Sequence, residues 1–201
     1  MKIWLTALLA FAAAIGPVPA MAQGMNGSEG EAFLKAVEKG DGATAIPMVE
    51  EPGSRVVNYR GYKGDTALHI VTRAREVNWV GFLLKNGADP NTGDAQGDTP
   101  LIIAARIGFA TAADYMIRFG AKVDTTNRRG ETALMVAVQQ RRPDIVELLL
   151  KAGADPDKTD HAAGLSAREY AKRDTRNREL LKLIETTKST RKKNVAGPGL
   201  H

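Results

Sequence analysis

A short block recurs through the middle of this chain. Gly64-Asp65-Thr66-Ala67-Leu68-His69, Gly97-Asp98-Thr99-Pro100-Leu101-Ile102 and Gly130-Glu131-Thr132-Ala133-Leu134-Met135 follow one another at a step of 33 residues. A second block keeps the same step: Gly87-Ala88-Asp89-Pro90-Asn91, Gly120-Ala121-Lys122-Val123-Asp124 and Gly153-Ala154-Asp155-Pro156-Asp157. Two markers in phase dictate a stack of like supersecondary units, because a unit this short cannot bury its apolar face alone. Each unit has the same internal logic. Thr66, Thr99 and Thr132 stand where a hydroxyl can accept from the free N–H groups that open a helix. Pro100 and Pro143 fit first helical positions, where no N–H is needed. Leu68, Leu101 and Leu134 point into the stack, and Ala104, Ala105 and Ala137 let neighbouring helices approach. The second helices carry apolar stripes at spacings of three and four: Trp79, Val80, Leu83 and Leu84; Ala113, Met116 and Ile117; Ile145, Val146, Leu148, Leu149 and Leu150. Gly87, Gly120 and Gly153 end those helices in the left-handed conformation.

The first block has the form G-x-T-P-L-H and the second the form G-A-D-x-N, and in both the chain resembles the ankyrin repeat. The resemblance covers about residues 30–186. It implies an all-α ankyrin-repeat solenoid: stacked helix–turn–helix repeats with β-turn or hairpin-like loops and a capping repeat at each end. Residues 30–63 then hold an N-terminal capping helix pair, Glu31 to Lys39 and Ala43 to Glu50, followed by the first connector. Residues 64–96, 97–129 and 130–163 are full repeats, and 164–186 the C-terminal cap. The cap starts one residue late, at Gly164, with the extra residue in the loop from Lys158 to Ala163. Ser166 replaces the capping Thr, and Glu169, Lys172, Arg173, Arg176 and Arg178 face off against Leu180, Leu181, Leu183 and Ile184. A unit apolar on one side and charged on the other is what a terminal cap requires.

The chain departs from the family pattern in two ways. The motif His survives only as His69, replaced by Ile102, Met135 and Glu169, so a supporting Thr–His hydrogen bond is possible in one repeat. The glycine that ends the first helix survives only as Gly108, with Arg75 and Arg141 at the other two positions, where irregular turns are expected.

Residues 1–22 read as a secretory signal peptide: Lys2, an uncharged run from Ile3 to Ile15, then Gly16, Pro17, Pro19 and the small-residue site Ala20-Met21-Ala22. The apolar run is shorter than the roughly 20 residues of a membrane span, so no stable membrane insertion is expected. The mature chain would begin at Gln23, with residues 23–29 a flexible lead and 187–201 a basic, disordered tail carrying Lys188, Arg191, Lys192 and Lys193. Export with no Cys is workable for a repeat stack, which buries its own continuous core. The absence of Cys also excludes thiol catalysis, thiolate metal sites and a cysteine lipid anchor. The resemblance is closest to small exported ankyrin proteins of proteobacteria, some of which are associated with oxidative-stress defence. It implies the Gram-negative periplasm first and secretion second.

Enzymatic chemistry finds no foothold, so no catalytic residue, cofactor or metal is expected. His69 belongs to the repeat motif, His161 to a loop and His201 to the terminus, and none has a partner at helix-face metal spacing. Asp155, Asp157 and Asp160 lack the spacing of a calcium loop. The formal charge of +5, or +4 without Lys2, is too modest and too interleaved with acids for a nucleic-acid stripe. Binding of a protein by a monomer remains. By resemblance, connectors and first helices line the concave side, and contact positions flank the motif glycine and the end of the first helix. Mapped here these are Tyr62, Lys63, Asp65 and Arg73; Gln96, Asp98, Arg106 and Ile107; Arg128, Arg129, Glu131, Gln139 and Gln140; and Arg173 in the cap. Tyr59, Arg60, Tyr62 and Lys63 form the densest cluster, two aromatics and two cations on one loop. The expected function is a non-catalytic protein-binding module on that face. The alternatives are a structural or chaperone-like envelope protein with broad weak contacts, or a secreted host-directed effector.

Overall fold

The computed structural model describes residues 27–176 and 178–187. The expected signal peptide, residues 23–26 of the lead and residues 188–201 of the tail lie outside them. Among the described residues ten α-helices form five successive pairs. They are α1 (Gly27–Glu38) with α2 (Gly42–Glu50), α3 (Ala67–Arg73) with α4 (Val77–Lys85), and α5 (Pro100–Ile107) with α6 (Ala110–Arg118). Then come α7 (Ala133–Gln139) with α8 (Pro143–Lys151), and α9 (Ala167–Arg173) with α10 (Arg178–Thr186). First helices pack on first helices in the order α1, α3, α5, α7, α9, and second helices on second helices from α4 to α10. This is the expected all-α solenoid.

The core forms columns at the repeat period. Leu68, Leu101 and Leu134 are buried on the first helices, and Val80, Ala113, Val146 and Leu180 form a fully buried column on the second. Ala104, Ala105 and Ala137 are buried between the first helices, where only small side chains let α5 and α7 come together.

The caps follow the sequence. Thr99 Oγ1 accepts from the Ile102 N–H and Thr132 Oγ1 from the Met135 N–H, both at 3.3 Å. Ser166 and Glu169 make a reciprocal capping box, with the Glu169 carboxylate 2.8 Å from the Ser166 N–H. In the first repeat His69 takes over. Its Nδ1 accepts from the Thr66 N–H at 3.1 Å and lies 2.8 Å from Thr66 Oγ1, while Nε2 lies 3.0 Å from the Asp98 carbonyl of the next repeat. A ring that accepts at Nδ1 and donates at Nε2 is neutral, and burial pushes its pKa below the usual 6.5. Stability from this site is therefore complete above pH 6.5 and is lost as the pH falls from there toward the lowered folded-state value. Urea unfolding across that range should show stability falling with acid, with His69→Gln shallower. Equal slopes would refute a neutral, buried His69.

Helix α1 begins at Gly27, inside the segment expected to be a flexible lead, and α2 begins at Gly42. Gly30 therefore sits within a helix. The reason is Tyr59, whose ring lies against it: a Cβ on Gly30 would fall 2.2–2.5 Å from ring carbons. Gly30→Ala should gain about 1 kcal/mol of helix propensity yet lose about 1–2 kcal/mol net, because the ring must be displaced. A variant that melts higher than the parent would show that Tyr59 is not held there.

The turns after the first helices are not irregular. Arg75 (φ 61°) and Arg141 (φ 53°) adopt the same left-handed conformation as Gly108 (φ 72°). The left-handed state costs a non-glycine residue about 1 kcal/mol or more. Both side chains reach the next unit. Arg75 donates to the Ile107 carbonyl and lies 5.9 Å from the Phe109 ring centre, and Arg141 grips Asp174 at 2.6 and 3.1 Å. Those contacts offset the backbone cost.

Candidate protein-binding face

The connectors between units are stitched to one another. Ala95 N–H donates to the Lys63 carbonyl at 3.2 Å, Arg128 N–H to the Gln96 carbonyl at 3.0 Å, and His161 N–H to the Arg129 carbonyl at 2.8 Å. Donors and acceptors both advance by the repeat step, so the rungs keep one register along the stack. Each loop is also folded onto a buried side chain. Asp94 Oδ1 accepts from the N–H groups of Gln96 and Asp98, Asn127 Oδ1 from those of Arg129 and Glu131, and Asp160 Oδ1 from those of Ala162, Ala163 and Gly164. An acceptor beneath a hairpin satisfies amides that a sheet would otherwise satisfy. Among the described residues, hairpin-like loops thus form with isolated bridges, Thr126–Thr132 and Thr159–Ser166.

Charge is clasped on the same side. Arg73 binds Asp65 at 2.8 Å and Asp94 at 2.7 Å. Arg106 binds Asp98 through both carboxylate oxygens, at 2.6 and 3.1 Å. Asn127 Nδ2 then bridges Asp98 Oδ1 (2.8 Å) and Glu131 Oε2 (2.9 Å), and Arg129 closes on Glu131 at 2.7 Å. Burial pushes the Asp98 carboxyl up, but the hydrogen bonds from Arg106 and Asn127 outweigh it and hold the pKa below the usual range. Tyr170 is pushed up to about 12 by burial and by its bond to Asp160.

The structure sorts the sequence candidates by what their side chains already hold. Asp98 and Glu131 are buried, and Asp65, Arg73, Arg106 and Arg129 are engaged in the clasps. Tyr59 is half-buried on α1 with its hydroxyl donating to Glu31 at 3.1 Å, and Arg60 donates to the Gly93 carbonyl at 2.8 Å. The Ile107 carbonyl is taken by Arg75. Tyr62, Lys63, Gln96, Arg128, Gln139, Gln140 and Arg173 remain exposed. Tyr62 is 85% exposed, with the Lys63 ammonium 5.4 Å from its ring centre.

Two grooves frame Tyr62, Lys63, Gln96 and Arg128. One, of about 560 Å³, runs between α1 and the first connector over Leu34 and Ile70, with Glu31, Glu38, Tyr62 and Lys63 at its edge. The other, of about 340 Å³, is lined by Gln96, Asp98, Arg106 and Arg128. The loop-folding column of Asp94, Asn127 and Asp160 and the bridging role of Arg75 and Arg141 are absent from the expected site residues. The column was detectable, because its members stand one repeat apart.

Comparison with known families agrees with this geometry. A family model of ankyrin repeats in three copies matches residues 80–160, and one of ankyrin repeats in many copies matches residues 49–104. The chain is an ankyrin-repeat solenoid. No curated protein matches it. Ankyrin repeats generally serve as protein–protein interaction modules, and the rigid loop row is the kind of platform such a module needs. Among the described residues no helix is long and apolar enough to cross a membrane.

Proposed function

We propose that this ankyrin protein is a non-catalytic binding module exported to the bacterial envelope, where it holds one protein partner on its concave face. The observation that carries the reading is Tyr62, a large aromatic side chain presented 85% exposed on a loop that is bonded into the rung ladder. Tyrosine is among the side chains enriched at the energetic centres of protein interfaces. The signal-like N-terminus supports export. The resemblance to exported proteobacterial ankyrin proteins favours the periplasm, with stress defence as the setting.

The test is crosslinking of the tagged mature chain in a Gram-negative periplasm, followed by mass spectrometry of the captured proteins. One dominant partner is expected, lost with Tyr62→Ala or Arg128→Glu. A set of many partners, unchanged by both substitutions, would overturn the reading in favour of a chaperone-like role. Retention of the full chain in the cytoplasm would refute export.

A further inference from the structure

An acid and an arginine eight residues apart recur in phase: Asp65 with Arg73, and Asp98 with Arg106. Each pair closes within its own repeat. In the third repeat the acid persists as Glu131 while Gln139 stands in the arginine's place, and Glu131 turns to Arg129. In the C-terminal cap the reverse occurs. Arg173 keeps the arginine position, but the acid position holds Leu165, which is buried.

Arg173 is therefore a clasp arginine without its clasp acid. Glu169, four residues before it on α9, is engaged with Ser166, and no ion pair joins Arg173 to a described residue. Arg176 lies beside Asp174, whose carboxylate is gripped by Arg141. Arg128 forms no ion pair with any described residue. Arg173 and Arg176 line a groove of about 360 Å³ with Gln139 and Tyr170. This groove adjoins the loop row, since the Tyr170 hydroxyl donates to Asp160, the carboxylate beneath the last loop. At the clasps, Arg73 is outnumbered by Asp65 and Asp94 and the Asp98–Glu131 network is balanced, whereas Arg173 and Arg176 form no ion pair with any described residue.

We propose that the partner held on this face presents an acidic, extended segment, with its carboxylates on Arg173 and Arg176 and its chain running toward Arg128. This rests on the protein-binding reading above and specifies the chemistry of the partner. The same fork geometry that receives Asp98 on Arg106 is available on Arg173 to a carboxylate from another chain.

The test is fluorescence polarisation of a labelled poly-glutamate peptide with the whole chain. Lys188, Arg191, Lys192 and Lys193 are each replaced by Gln, so that the tail does not capture the probe. Binding that weakens with salt is expected, with Arg173→Glu and Arg176→Glu each lowering affinity about fivefold. Leu165→Asp, which rebuilds the clasp, should also weaken binding while leaving the circular dichroism unchanged. If Leu165→Asp fails to fold, Arg173→Gln gives the same reading. Lys85→Glu on α4 should have no effect. Absence of binding, or equal losses with Lys85→Glu, would overturn the proposal. So would tighter binding of a single-stranded oligonucleotide or of phosphatidylglycerol vesicles through the same arginines. A dominant, Tyr62-dependent partner in the periplasmic capture with no poly-glutamate binding would sink the acidic segment and leave the binding face standing. Loss of both would remove both.

Discussion

Gly130→Ala should destabilise the stack by about 2–4 kcal/mol, far more than the same change at Gly120. Both glycines are left-handed, with φ of 77° and 90°. The backbone strain of alanine, about 1 kcal/mol, is common to the two. The surroundings are not. A Cβ at Gly120 meets nothing within 4 Å, whereas at Gly130 it would lie 2.7 Å from the His161 backbone nitrogen. That nitrogen donates the last rung of the ladder, to the Arg129 carbonyl at 2.8 Å. A side chain could swing away from the intruding methyl, but a bonded backbone cannot, so the rung must break or the cap must shift. Urea unfolding of the two variants and the parent measures the difference. Equal losses would mean that the loops are not held at this approach.

The second large effect is expected at Asp98. Asp98→Ala should cost about 2–4 kcal/mol, because it strips a half-buried guanidinium and a buried amide of their shared acceptor. Asp98 receives Arg106 at two oxygens and Asn127 at one, with its own residue only 7% exposed. Asp65→Ala is the control, expected to cost under about 1 kcal/mol, since it is more exposed and Arg73 retains Asp94 at 2.7 Å. The acid limb provides an independent check. Asp98 has a folded pKa below its usual 3.8, so its contribution is present above that value and disappears as the pH falls through the lowered one. Asp98→Ala should flatten that part of the stability curve. A loss no larger than that of Asp65→Ala would show that the network adds nothing beyond a surface pair.

The fold was legible because its signal is long. Two blocks in phase, with Leu, Ala and Gly at fixed offsets, specify what packs on what without knowledge of any contact. Where the reading fell short, the cause was local or long-range. Gly30 fell just outside the expected first helix, read from Glu31, because what justifies a glycine there is Tyr59, 29 residues away. Arg75 and Arg141 looked like defects because propensity disfavours left-handed arginine, and the compensating contacts lie in the next repeat. The candidate face was half legible. Loop position marked Tyr62 and Arg128 correctly as exposed, but it marked Asp98 and Glu131 equally, although both are buried. Burial of a carboxylate depends on partners such as Asn127, which stands 29 residues from Asp98. The spacing of eight between acid and arginine was the available hint.

The late start of the terminal cap shows how the array keeps count. Asp160 and His161 still stand one repeat step beyond Asn127 and Arg128, and the extra residue enters only after them, before Gly164. There the Asp160 carboxylate gathers three amides where Asp94 and Asn127 each gather two. Phase is carried by the rungs, and chain length past a rung is a free variable as long as a carboxylate waits beneath to collect the surplus. The tip between His161 and Gly164 is therefore the natural site for a grafted epitope or a reporter dye, since added length there leaves the array in register.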